Sequence, residues 1–92
     1  MFADQGMIER IAITGSSGYY GRKFIDHVRR VAPEVKILGI DIAVPGEGAP
    51  DEFRQLDVRS PEVRSALAEF RPDTILHLAF VVNPIRDVRK LH

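Results

Sequence analysis

The chain of 92 residues contains no cysteine. Disulfides, thiolate metal sites and a cysteine nucleophile are thereby excluded, which fits a reducing compartment. An excess of one charge is missing as well, since 13 lysines and arginines balance 13 aspartates and glutamates. That balance argues against a nucleic-acid binder with a basic face, and the cluster Arg86, Arg89 and Lys90 reads as a solvated helix face. No apolar run approaches the length of a membrane span, and the opening residues, with Asp4, Glu9 and Arg10, hold no signal-peptide core. A cytoplasmic chain without membrane contact is the expectation. Histidine is scarce, and His27, His77 and His92 lack metal-ligand spacing, so no metal site is expected.

What is present is the composition of a globular domain, 45% hydrophobic and 28% charged. A chain this short makes one domain at most and hides only about 60 to 65% of the surface exposed when unfolded, so its stability is marginal. Residues 1–7 read as a leader and residues 8–92 as the domain. Ile8 and Ile11-Ala12-Ile13 predict a buried first strand, and Phe24, Ile25, Val28 and Val31 line one face of a helix running from Arg22 to before Pro33. Val35, Ile37, Leu38 and Ile40 form a second strand with Asp41 at its end, too continuous to alternate, as for a strand covered on both faces. A loop rich in proline and glycine spans residues 44–51, before a third strand over Phe53 to Leu56 that ends at Asp57. Ser60-Pro61 opens a second helix with Val63, Ala66, Leu67 and Phe70 on one face. Thr74 to Ala79 is a fourth strand that extends toward Val82, and Asn83-Pro84 caps a further helix. Alternation at this spacing predicts an α/β fold of right-handed βαβ crossovers with strand order 3-2-1-4, the N-terminal half of a doubly wound parallel sheet, left incomplete.

Chemistry concentrates in Thr14-Gly15-Ser16-Ser17-Gly18-Tyr19-Tyr20-Gly21, between the first strand and the first helix. Three glycines three residues apart let a backbone take positive φ and come close to a phosphate, while the free NH groups of the new helix face its charge. The pattern is G-x-x-G-x-x-G, less common than G-x-G-x-x-G, and its context gives it weight: Asp41 follows Gly21 by 20 positions, close to the interval expected for a ribose-binding carboxylate. Other matches fail on position. Tyr19 and Lys23 spell Tyr-x-x-x-Lys inside the phosphate turn, Gly15 to Gly18 does not fit a nucleophile elbow, and Gly21-Arg22-Lys23 lacks the spacing of a P-loop.

Thr14 to Gly21, Asp41, Asp57-Val58 and His77-Leu78-Ala79 together resemble the extended branch of the short-chain dehydrogenase/reductase superfamily, the NAD-dependent epimerase/dehydratase family. The resemblance covers nearly the whole chain from Ile8 and implies a partial Rossmann-type NAD(P)-binding domain. By it, Gly15, Gly18 and Gly21 surround the pyrophosphate, and Ser16, Ser17, Tyr19 and Tyr20 lend backbone NH groups. Asp41 accepts hydrogen bonds from the adenosine ribose hydroxyls, which favours NAD over NADP because a 2′-phosphate would meet its charge; Arg22 keeps NADP as the minority reading. Asp57 is implied to bind the adenine amino group, with the Val58 backbone at the ring. Leu78, Ala79 and Phe80 close the site, the last two along the ribose and the approach to the nicotinamide. Phe80 stands where many members carry a second alanine. His77 is assigned to the strand interior or a packing role.

The resemblance further implies the cofactor-binding N-terminal segment of an NAD-dependent sugar-nucleotide epimerase, dehydratase or related reductase. With no tyrosine after Tyr20, the chain is not expected to be catalytically competent alone, and a sugar nucleotide is expected only of a longer parent. A non-catalytic nucleotide-binding module, sensing NAD or assembling with a partner, is the alternative; a purely structural segment is the third. An unpaired edge beside the fourth strand predicts self-association.

Overall fold

Ile11, Ala12 and Ile13 are all buried in the first strand, which is possible only if the strand is covered on both faces and both edges. The computed structural model, which describes residues 7–79, meets that condition. The elements are β1 (Arg10–Thr14), α1 (Tyr19–Val31), β2 (Lys36–Asp41), β3 (Glu52–Gln55), α2 (Glu62–Phe70) and β4 (Thr74–His77). Their sheet has the expected order β3-β2-β1-β4, with every pair parallel. Thr14 sits level with Ile40 on one side and His77 on the other, so three strands end together.

Alternation along β1 sends its side chains to two separate cores. Ile11 and Ile13 join Ile25 and Val28 of α1, with Val35 and Ile37, on one face. Ala12 joins Leu38, Ile40 and Phe70 on the other, under α2. Burying a side chain of this kind stabilises by about 1.5 to 3 kcal/mol, so these contacts are the main source of stability in a small chain. The outer face of α1 carries Arg22, Lys23, Asp26, His27 and Arg30 into solvent.

The ends of the elements are tied by polar side chains. The Ser60 hydroxyl accepts the Glu62 NH at 3.1 Å and starts α2; Arg71 ends it in the left-handed region at φ 58°. Arg10 closes the same corner, its Nε donating to the Phe70 carbonyl at 2.8 Å and its guanidinium lying 4.2 Å above the Phe70 ring. Asp73 accepts the NH groups of Glu9 and Arg10, both at 2.9 Å, where β1 begins. Asp51 accepts the Ile37 NH at 2.8 Å and pairs with Arg29 at 3.1 Å, supplying a partner at the start of β2.

Several element limits differ from the sequence expectation. α1 starts at Tyr19 rather than Arg22, so the last part of the glycine motif is already helical. Ile8 remains outside β1 and half exposed, with Asp73 holding the backbone at Glu9 and Arg10 instead. β3 runs one residue earlier than expected. β4 stops at His77: the Leu78 NH still donates to the Thr14 carbonyl at 2.9 Å, after which Ala79 crosses over Gly15. The extension toward Val82, the helix at Asn83-Pro84 and the site residue Phe80 lie outside the described residues. Among the described residues no helix is long and apolar enough to cross a membrane.

Three aspartates couple this fold to pH. The NH groups of Glu9 and Arg10 hold the Asp73 carboxyl below its usual value, and the Arg59 guanidinium does the same for Asp57. Burial pushes Asp51 up, but the Ile37 NH and Arg29 outweigh it and the net direction is down. A depressed folded value means that the unfolded chain binds protons first, near pH 3.9, so the stabilisation is present above that pH and is lost as pH falls through the folded values. Asp73→Asn should lower the urea midpoint at pH 7 and leave a smaller difference between pH 7 and pH 3 than wild type shows. An equal midpoint at pH 7 would contradict this role.

Candidate cofactor site

The chain leaves β1 into the glycine turn, where the three glycines stand under different constraints. Gly15 has φ 77°, and a Cβ on it would lie 2.6 Å from the Ala79 nitrogen; its own NH donates to the Ile40 carbonyl at 2.8 Å. Gly21 has ordinary dihedrals but no room, since a Cβ would sit 2.5 Å from the Gly15 carbonyl oxygen and 2.7 Å from the Ser16 Cα. Gly18 has neither constraint. Its φ of −81° and ψ of 178° suit any residue, and a Cβ would meet only the Gly15 oxygen at an ordinary 3.5 Å. Among the described residues, the packing around Gly18 thus leaves room for a side chain.

Gly18 is also the N-cap of α1, so no side chain caps this helix, and its first turn carries no acidic residue. The NH groups that open a helix lack intrahelical partners and sit at the positive end of the dipole. The N-terminus of α1 has no such partner among its own side chains, whereas α2 has the Ser60 hydroxyl on the Glu62 NH and Glu62 in its first turn.

Around this turn lies a cleft of about 850 Å³. Gly15, Gly18, Tyr19, Tyr20 and Gly21 line one side; Asp41, Asp57, Val58, Leu78 and Ala79 come to it from the ends of the other strands. All the expected site residues that are described line it except Ser16 and Ser17. The Ser17 NH, expected at the phosphate, instead donates to Asp41 Oδ2 at 2.9 Å, and its hydroxyl donates to the Ala43 carbonyl at 2.7 Å. Ser16 is likewise turned inward, 1% exposed and packed against Gly39, so neither serine faces the cleft. With Asp41 Oδ1 accepting the Ala43 NH at 3.1 Å, the carboxylate is fixed from two sides and keeps one acceptor position on each oxygen.

Four lining residues were missed by the sequence reading: Ile42, Leu56, Arg59 and His77. Ile42 and Leu56 adjoin Asp41 and Asp57, so the carboxylates themselves were the available signal. Arg59 forks onto Asp57, and its position two residues on is the spacing of a local Asx turn. His77 is corrected from interior packing to an exposed position at the end of β4, where its Nδ1 and the Thr14 hydroxyl lie 2.6 Å apart. β4 is an edge strand among the described residues, and Ile75 and His77 along it are exposed. Lys23 lies over the face of the Tyr19 ring, 5.4 Å from its centroid, a cation–π arrangement rather than a contact that would activate the phenol.

The profile of the NAD dependent epimerase/dehydratase family matches residues 11–90. The chain belongs to that family. NAD is the cofactor that defines it. Among solved structures, the chain is similar to the Bordetella bronchiseptica enzyme WbmG in complex with NAD, at 26% identity and a TM-score of 0.59 over 79% of this chain and 25% of that one. It also shares the fold of the Helicobacter pylori ADP-L-glycero-D-manno-heptose-6-epimerase, at 21% identity and a TM-score of 0.63 over 76% of this chain and 26% of the other. The chain spans about a quarter of the length of these solved structures. Among the curated proteins nothing matches.

Within this family member the three glycines should separate in stability. Gly21→Ala and Gly15→Ala force contacts between backbone atoms and should each cost about 1 to 3 kcal/mol. Gly18→Ala should cost less than about 1 kcal/mol, the scale of a weakened cap. Urea denaturation measures all three, and a Gly18→Ala loss equal to that of Gly21→Ala would show that Gly18 is needed for packing.

Proposed function

We propose that the cleft binds NAD and that the chain is the cofactor-binding segment of an NAD-dependent enzyme acting on a sugar nucleotide. The observation that carries this reading is the uncapped, acid-free N-terminus of α1 beside Gly18, whose missing side chain the fold itself does not require. The NH groups of Tyr19, Tyr20 and Gly21 hold the pyrophosphate there. The two acceptor positions left on Asp41 suit the two neighbouring hydroxyls of a ribose, each of which brings one donor. Asp57 and Val58 meet the adenine, while Leu78 and Ala79 border the path toward the nicotinamide. A 2′-phosphate would set its charge against Asp41, so NAD is preferred to NADP.

When bound, NAD supplies a site that accepts and returns a hydride. The residues of this chain in the cleft bind and orient; none of them is assigned the acid or base of the reaction. Turnover of a sugar nucleotide is therefore proposed only of a longer parent, for which the support is that the matched segment is about a quarter of each solved structure. Self-association belongs to the same proposal, through β4, an edge strand among the described residues, and the half-exposed Ile75.

Calorimetric titration with NAD tests this reading. Asp41→Ala removes charge-assisted bonds of about 1.5 to 3 kcal/mol and should weaken binding roughly 10- to 100-fold. Gly18→Ala should weaken it too while the fold stays intact. Unchanged affinity in both variants would remove the turn and Asp41 from the site.

A further inference from the structure

Arg59 is the charged residue of the cleft that the sequence reading left without a role. Three hydrogen bonds tie it to one carboxylate: its backbone NH donates to Asp57 Oδ1 at 2.9 Å, its Nε to the same oxygen at 3.2 Å, and its terminal nitrogen to Oδ2 at 3.1 Å. A carboxylate offers about four acceptor positions, two on each oxygen. Oδ1 is therefore filled, and Oδ2 keeps one. The planar fork also fixes the carboxylate against rotation, which a single bond or a lysine ammonium would leave free. Asp57 lines the cleft with its side chain 45% exposed, so the remaining position is within reach of a ligand.

We propose that Arg59 is a positioning residue for the base of the dinucleotide: it leaves Asp57 a single fixed acceptor, which takes the 6-amino group of adenine and discriminates against a 6-oxo purine. The inference rests on the reading of the cleft as an NAD site. An ionised carboxylate can only accept, so the amino group of adenine pairs with it and the carbonyl oxygen of hypoxanthine is repelled. Hypoxanthine carries an N1–H that a freely turning carboxylate could reach instead. The fork prevents that turn. The side-chain and backbone hydrogen bonds from Arg59 act in the same direction, holding the Asp57 carboxyl below its usual range.

The test is calorimetric titration of the wild-type chain, Arg59→Ala and Arg59→Lys with NAD and with nicotinamide hypoxanthine dinucleotide at pH 7. The Asp57 carboxyl signal is followed by NMR against pH in the same three proteins. Wild type should prefer NAD by about tenfold or more, the scale of one charge-assisted bond. Arg59→Ala should reduce that preference to about twofold and raise the Asp57 midpoint toward the ordinary carboxylate value of about 3.9. Arg59→Lys should keep part of the lowered midpoint without restoring the preference, because an ammonium cannot fork. The Arg59 side chain is 87% exposed, so these variants leave the core untouched. An unchanged preference or an unchanged midpoint in Arg59→Ala, with wild type still binding NAD, overturns this inference alone. Failure of wild type to bind either dinucleotide overturns it together with the function on which it rests.

Discussion

The site depends on how closely the start of α1 is pressed onto the end of β1. With Gly21 against the Gly15 oxygen and the Ser16 backbone, a methyl group at Gly21 would find no room, and that approach aims the first turn of the helix across the carboxyl edge of the sheet. The Gly15 NH is meanwhile fixed to the Ile40 carbonyl and the Leu78 NH to the Thr14 carbonyl, so the turn is held by both neighbouring strands. Three strand ends and one helix N-terminus are thereby brought to a single cleft. The two hydrophobic cores stabilise the sheet, but it is this backbone contact that sets the uncapped start of α1 at the cleft.

Two aspartates at neighbouring strand ends show how local bonding divides labour between like groups. Asp41 is held by two backbone NH groups and retains an acceptor position on each oxygen. Asp57 is held mainly by Arg59 and retains one. The first arrangement suits a pair of hydroxyl donors and the second a single amino donor, so the chemistry of each subsite follows from how many lone pairs the protein itself consumes. Asp51 and Asp73 complete the contrast, because their oxygens tie strand starts and belong to folding, at the other end of the sheet from the cleft.

Strand order and site location were legible in the sequence because they follow from strong local signals. The continuous apolar runs at Ile11-Ala12-Ile13 and Val35 to Ile40 require burial on both faces, and the glycine turn marks the switch between strand and helix. Less legible was anything set by contacts distant in sequence. The inward turn of Ser16 depends on the space left by Gly39, and the use of the Ser17 NH depends on where Asp41 arrives from β2. His77 looked like a core residue because it sits in an apolar strand, yet β4 is an edge of the described sheet and exposes alternate residues. Arg59 was passed over because one arginine after a strand carries no periodic signal; only its three bonds to Asp57 give it a role.

The central claim is that the cleft at the glycine turn receives a dinucleotide, and amide chemical-shift mapping during NAD titration tests it most directly. The account predicts that the largest shifts fall on Tyr19, Tyr20 and Gly21 at the start of α1 and on the amides following β2 and β3 at Ile42 and Val58, with little change at Glu9, Arg10 and Lys36 at the opposite end of the sheet. Shifts concentrated at that opposite end, or no saturable shifts at all, would contradict it.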